Sequence, residues 1–248
     1  MSYSEIFQRT ELMYGSSAMR ALQKLRVGIF GLGGVGSYAT ETLARCGVGN
    51  FLLVDFDVIK KSNINRQIIA LHSTLGKLKT EVTRSRILDI NPEAGVEIFN
   101  GFCADETRDD LLKNIDIVVD CIDSLNPKVN LLQHAFELSK PIISVMGAAG
   151  RSKPEYIRTD DLAKTNACPL ARRVRRYLSR RGISKGIPIV FSTEPPLPSI
   201  PPSESSEEEQ VSTRGRIRNT QASNAIIPAI MGITAAAWVV NTITRQYE

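Results

Sequence analysis

Asp55 and Asp57, the string Ser62-Asn63-Ile64-Asn65-Arg66-Gln67, Lys79, and Asp120 with Asp123 are the residues whose types and order could do chemistry. A guanidinium such as Arg66 can hold two phosphate oxygens at once, and Asn65 beside it can fix the loop that carries it. Lys79, at the head of an expected helix, adds a second positive charge. Carboxylates just beyond a parallel strand form a station for magnesium, which prefers oxygen ligands and keeps part of its water. The set suits an enzyme that handles a triphosphate, whereas a dinucleotide enzyme has no general need for an Asn- and Arg-rich loop straight after a ribose acid. Singly, each charge reads equally well as solvated surface. Their order at successive strand ends speaks against that.

These groups need a frame, and residues 27–36, Val-Gly-Ile-Phe-Gly-Leu-Gly-Gly-Val-Gly, anchor it. The apolar run 27–30 reads as a buried parallel strand, and Gly31, Gly33, Gly34 and Gly36 as a tight turn that opens a helix. Glycines let the backbone approach an anion, while the first helical N–H groups and the helix dipole supply positive character. Alone, that spacing serves NAD and FAD enzymes, or no ligand at all. A crossover helix over 35–46 and a strand over 51–54 follow, ending at Asp55, 24 residues past Gly31 and within range of a ribose hydroxyl. Further strands are expected at 96–99, 115–119 and 141–145, with helices at 77–90, 106–113 and 128–138. This alternation predicts an α/β fold, a Rossmann-like, doubly wound, mostly parallel sheet. A helical arm over 4–25, with Ile6, Leu12, Met13, Met19, Leu22 and Leu25 apolar, precedes it. One domain is expected over 1–248, divided into an arm (1–26), a nucleotide-binding core (27–150) and a C-terminal extension (151–248) that faces substrate and a second subunit.

At 248 residues and 42% hydrophobic composition, the chain can bury one large core. Cys46, Cys103, Cys121 and Cys168 form no C-x-x-C pair and only His72 and His134 are present, so no zinc and a reduced, cytoplasmic setting are expected. Residues 1–20 are polar and mixed in charge, unlike a signal peptide. The net charge of +5 is concentrated: residues 151–185 hold eleven basic side chains against three acidic ones, which leaves the rest of the chain at −3. Such a patch suits a polyanion, RNA or DNA. Inside it, 169–181 reads as a helix with Leu170, Val174, Tyr177 and Leu178 on one side and Arg172, Arg173, Arg175, Arg176 and Arg180 on the other. Like charges repel unless something anionic is bound, so this face points to an RNA backbone. Strands at 156–158 and 187–192 flank the helix. The Pro-, Ser- and Glu-rich run 194–220 is expected to be a mobile loop. Residues 225–240 are nearly all apolar but fall short of the roughly twenty that span a bilayer, which favours a core or subunit-interface helix and leaves partial membrane association open.

The strings G-L-G-G-V-G, L-V-D-F-D, S-N-I-N-R-Q, G-K-L-K and D-C-I-D-S resemble the ThiF/MoeB/HesA superfamily of adenylating enzymes, densely over residues 9–150. Later motifs, Asp161-Leu162-Ala163-Lys164-Thr165, Pro169-Leu170-Ala171-Arg172 and Val190-Phe191-Ser192-Thr193-Glu194, are similar to its tRNA threonylcarbamoyladenosine dehydratase branch. The resemblance implies ATP-dependent cyclisation of N6-threonylcarbamoyladenosine in the tRNA anticodon loop, by a magnesium-using homodimer; whether a sulfur-relay or other protein stimulates it stays open. It implies that Gly31, Gly33, Gly34 and Gly36 cradle the nucleotide and that Asp55, with Asp57, meets the ribose. Ser62, Asn63, Asn65 and Arg66 would meet the phosphates. Lys79 would neutralise the triphosphate, Asp123 would hold magnesium with Ser124 beside it, and Arg9 would reach the ATP site of the partner subunit. Arg9, Arg66, Lys79 and Asp123 are thus the expected catalytic residues, and Arg172, Arg173, Arg175, Arg176 and Arg180 the expected tRNA contacts. Cys168 departs from the branch, which usually carries an acid before Pro-Leu-Ala; a thioester-forming cysteine and a neutral loop substitution both stay open. Two other readings remain: an adenylyltransferase for a ubiquitin-like sulfur carrier, disfavoured by the missing zinc pairs and the arginine face, and a non-catalytic NAD-binding regulator.

Overall fold

The computed structural model describes residues 3–101, 105–200 and 220–247. A single seven-stranded sheet runs in the order β3-β2-β1-β4-β5-β7-β6, with β1 Arg26–Phe30, β2 Asn50–Val54, β3 Gly95–Phe99, β4 Ile117–Asp120, β5 Ile142–Val145, β6 Ile157–Asp161 and β7 Pro188–Ser192. All pairs are parallel except β6 with β7 at one edge. The helices are α1 Tyr3–Lys24, α2 Gly36–Arg45, α3 Lys79–Ile90, α4 Asp105–Lys113, α5 Leu125–Glu137, α6 Pro169–Ser179 and α7 Ile226–Thr244. The central strands are apolar at almost every position because helices cover both sheet faces. Val27, Ile29 and Phe51 pack with α1, α2 and α7, whereas Phe30, Leu52 and Val118 pack with α5 and α6.

Register decides what meets at the carboxyl edge. Phe30 pairs with Val54 on one side and with Asp120 on the other, so Gly31, Asp55 and Cys121 leave the sheet side by side. The chain order reverses direction there, β1 leading outward to β2 one way while β4 lies the other way, and such a switch point opens a crevice for a ligand.

α7 closes the back of that crevice. Ile227, Met231, Ala235 and Val239, four residues apart, are all fully buried and form one stripe of the helix. A Cβ at Gly232 would stand 2.3 Å from the Val35 carbonyl oxygen, so glycine lets the backbones of α7 and α2 touch. α7 is also long and apolar enough to cross a bilayer by length and composition, with a mean hydropathy of 1.8; here one face of it is core.

The arm differs from a simple amphipathic helix. α1 leaves helical geometry at Phe7 and at Gly15, where φ is +80°, and it folds back on itself. Tyr3 donates its hydroxyl proton to the Gly47 carbonyl at 2.6 Å, and Leu22 accepts from Gly49 N at 3.1 Å, so both ends of α1 sit at the amino edge of the sheet. Phe7, Ala18, Met19 and Leu22 are buried, whereas Leu12 and Met13, expected among the apolar contacts, are 84% and 75% exposed. At the other end, the segment expected to be mobile begins pinned: Leu197 N donates to Gly150 O at 2.8 Å, and Ile200 and Thr220 exchange backbone bonds at 2.9 Å. Residues 201–219 of that segment, and Cys103, lie outside the described residues.

Candidate active site

The glycine turn divides its work among four positions. Gly31 takes φ +91° and donates to Val54 O at 2.8 Å, which turns the chain off β1. At Gly36 a Cβ would lie 1.8 Å from the Gly31 carbonyl oxygen, so no other residue fits where α2 presses on the strand end. A Cβ at Gly34 would meet Pro228 at 3.1 Å and Arg66 O at 3.2 Å, so its smallness serves packing against α7 and the following loop. Gly33, unlike the other three, has nothing among the described residues within 4 Å of its Cβ direction; it is the bare backbone that an anion can approach.

Asp55 lies directly beside this turn. Its Oδ2 accepts from Leu32 N at 2.6 Å and its Oδ1 from Asp57 N at 2.8 Å. Burial pushes its carboxyl above the ordinary carboxylate value, although Lys79 and the two N–H donors pull the other way. Lys79, itself 5% exposed, donates to Asp57 Oδ2 at 2.7 Å and lies 4.0 Å from Asp55 Oδ1. The ammonium that a triphosphate would draw is thus held between two acids at the first residue of α3.

Arg66 is carried by a tight loop. Asn63 Oδ1 accepts from Lys60 N at 3.1 Å, and Arg66 Nη1 donates to Ser62 O at 2.6 Å and to Asn65 Oδ1 at 3.1 Å. Asn65 does fix the loop, but from the far end of the chain: its Nδ2 donates to Ser223 O at 3.2 Å. Ser223 and Asn224, which sequence reasoning passed over, lie at the start of α7 against this loop. Only the helix-capping character of Ser-Asn before an apolar run marks them.

Beyond β4 the two expected magnesium carboxylates part company. Asp123 is exposed and accepts from Ser124 Oγ at 3.2 Å; its loop borders the turn, since the Cys121 carbonyl oxygen would stand 3.0 Å from a Cβ on Gly31. Asp120 is fully buried and is no metal station. Its Oδ2 accepts from Lys128 Nζ at 2.6 Å and from Ser144 Oγ at 2.6 Å, while its Oδ1 accepts from Ile122 N at 3.0 Å. Lys128, equally buried, completes its donors on Ser144 Oγ and Val145 O. Cys121 next to Asp120 has its thiol pushed up to about 12 by burial, with the Asp120 charge adding to the effect, so it stays protonated. Cys168 is 4% exposed at the N-cap of α6, inside the core of the second sheet face, which fits a packing role and no exposed thioester.

Arg9 is exposed on α1, and α1 has both ends at the opposite edge of the sheet, so nothing in one chain brings it to the cluster. On α6 the arginines border an open cavity of about 700 Å³, lined by Arg172, Arg173, Arg175, Arg176, Ser179 and Ser184. Arg175 differs from the others: it is half-buried, and its Nη1 donates to Thr165 O at 2.7 Å and to Thr165 Oγ1 at 2.5 Å. Arg176 and Arg180 lie 5.7 and 5.8 Å from the centre of the Tyr177 ring.

A doubly wound sheet whose switch point carries an open glycine turn, a buried acid, a caged ammonium and a loop arginine defines a nucleotide-binding α/β protein equipped for a polyphosphate. More particularly, the chain belongs to the ThiF family, whose model matches residues 7–248. The tRNA threonylcarbamoyladenosine dehydratase of Bacillus subtilis is 37% identical over 98% of this chain and 96% of its own. Among solved structures, Escherichia coli tRNA N6-threonylcarbamoyladenosine dehydratase superposes with TM-score 0.87 in complex with AMP, at 31% identity over 98% of this chain and 96% of that one. Its complex with ATP gives TM-score 0.85 at 29% identity and the same coverage.

Proposed function

We propose that this chain is an ATP-dependent tRNA threonylcarbamoyladenosine dehydratase. The observation that carries the reading is the open Gly33 backbone flanked by Asp55, Lys79 and Arg66, on a chain that matches that enzyme from end to end. The threonine carboxylate attacks the α-phosphorus of ATP; the bond to the bridging oxygen breaks and pyrophosphate leaves. The neighbouring ureido group then closes on the acyl adenylate carbonyl, loses its proton and expels AMP, so the net change in the nucleoside is loss of water. Adenylation is needed because a carboxylate is a poor electrophile, whereas AMP leaves readily.

In this reading Asp55 accepts from a ribose hydroxyl, with Asp57 steering Lys79, and the Gly31–Gly36 turn cradles phosphate oxygens. Ser62, Asn63 and Asn65 shape the loop from which Arg66 meets the triphosphate. Lys79 moves part of its charge from Asp57 to the polyphosphate. Preorganised positive charge aimed at the transferring phosphoryl group supplies the main rate term. Asp123, with Ser124 beside it, is the exposed carboxylate that would hold magnesium, which would supply further neutralisation of the polyphosphate. The exposed Leu12 and Met13, on the same helix as Arg9, support a homodimer in which Arg9 of one arm serves the partner's site. The tRNA backbone lies on α6 against Arg172, Arg173, Arg176 and Arg180, with Arg175 bracing Thr165 beneath them. Asp123→Ala should abolish pyrophosphate exchange triggered by threonylcarbamoylated tRNA while the thermal transition stays in place; near-normal exchange would refute the assignment.

A further inference from the structure

A second cavity, of about 220 Å³, opens beside the nucleotide site and shares Ser223 and Asn224 with the wall of the Arg66 loop. Arg151, Glu194, Leu197, Ala222 and Asn224 are among its walls. Arg151 is 5% exposed, and its guanidinium is fixed by carbonyls: Nη1 donates to Gly147 O at 2.6 Å and Ala149 O at 3.1 Å, and Nε to Glu194 O at 2.9 Å. Its remaining nitrogen, Nη2, is buried with no hydrogen-bond partner among the described residues. A buried N–H of a charged group left unpaired is costly, and such groups mark places where something else is meant to bind.

The cavity's walls tie it to the site of adenylation. Asn224 Nδ2 donates to Arg151 O at 3.1 Å, and Asn224 Oδ1 accepts from Ile226 N at 2.9 Å, at the start of α7. Two residues past Ile226, Pro228 abuts Gly34. The neighbouring Ser223 accepts from Asn65 at 3.2 Å, one residue from Arg66. The cavity therefore adjoins the loop proposed to hold the triphosphate. Beside Arg151 on the same wall stands Glu194, whose carboxylate accepts from Lys153 N at 2.9 Å and Ser152 N at 3.0 Å; these donors hold it ionised, below the ordinary carboxylate value. The walls thus offer one buried cationic donor and one anionic acceptor, the complement of a small group that carries a carboxylate together with N–H or O–H donors.

Resting on the function proposed above, we infer that this cavity receives the amino-acyl arm of the modified nucleoside and that Arg151 Nη2 donates to the carboxylate that is to be adenylated. The threonine hydroxyl and ureido N–H groups supply the donors for the Glu194 side.

The test uses the full-length enzyme with threonylcarbamoylated and unmodified tRNA. Wild type that releases no pyrophosphate with modified tRNA would sink the function itself. With wild type active, Arg151→Lys should lower kcat/KM for modified tRNA by about tenfold to a hundredfold, the worth of one charged hydrogen bond. Affinity for ATP alone and for unmodified tRNA, both by calorimetry, should stay within twofold; a merely structural role would weaken ATP binding through Asn224 and Ser223. Should Arg151→Lys fail to fold, Leu197→Trp fills the cavity from its rim and should produce the same selective loss. Wild-type-like kcat/KM in either folded variant would overturn the inference and leave Nη2 with a bound water only.

Discussion

Lys128→Met isolates one buried charge. The ammonium and the Asp120 carboxylate are both 0% exposed and 2.6 Å apart, and the ammonium makes three bonds, to Asp120, Ser144 Oγ and Val145 O. Methionine matches the side chain's length but leaves Asp120 an ionised group in the core, with only Ser144 and Ile122 N to solvate it. Breaking a buried pair from one side costs about 3–5 kcal/mol. For a chain of this size that lowers the melting temperature by about 10 °C and consumes a large part of a typical stability of about 5–15 kcal/mol. Adding Asp120→Asn removes the orphaned charge while keeping an oxygen for Ile122 N and an amide for Ser144, so the double variant should regain at least about 1 kcal/mol over the single one. Urea unfolding followed by the fluorescence of Trp238, the chain's one tryptophan, measures both. A loss below about 1 kcal/mol in Lys128→Met, or a double variant no better than the single, would refute the claim that this is a sealed, mutually dependent pair.

Gly36→Ala should fail to fold or lose its nucleotide site, because its Cβ would sit 1.8 Å from the Gly31 carbonyl oxygen, whereas Gly33→Ala, with nothing within 4 Å, should keep its melting temperature and lose ATP affinity; thermal melts beside ATP titrations compare them. Charge reversal of Arg172 and Arg176 should reduce the salt dependence of tRNA binding by about 0.7–0.9 per lost phosphate contact, whereas Arg175→Gln should lower stability and leave the slope alone, as affinity measured against salt and melting will show. Glu41 is pushed up by burial but held below the ordinary carboxylate value of 4.5 by Arg86 and Arg45. Its stabilising contribution is therefore full above that value and lost as pH falls through the depressed one. Glu41→Gln should melt lower than wild type at pH 7, with the gap closing as the pH is taken below the ordinary carboxylate value.

Much of this arrangement was legible in the chain because it rests on local patterns. The alternation of apolar runs with helical periods located all seven strands to within a few residues, and the glycines with Asp55 located the crevice. What escaped was what depends on distant partners. Asp120 and Asp123 look alike at the end of one apolar run, and only Lys128 on α5 and Ser144 on β5 turn the first inward. A helical wheel puts Arg175 with the other arginines, but Thr165, ten residues earlier, draws it in. Leu12 and Met13 fit an amphipathic helix until Gly15 breaks it. Arg151 carried no motif at all; only the fold sets it beside Glu194 and Asn224.

The contact of α7 with the glycine turn also sets a schedule for synthesis. The turn is complete once residue 36 has been made, yet Pro228 and Gly232, which abut Gly34 and Val35, emerge nearly two hundred residues later. At ribosomal rates of about 5–20 residues per second, the nascent crevice stands without its wall for roughly 10–40 s. During that interval the apolar faces of β1 and α2 meet solvent or a chaperone. A ribosome-bound chain that stops before Ile226 should therefore bind no ATP, however well its first strands have paired.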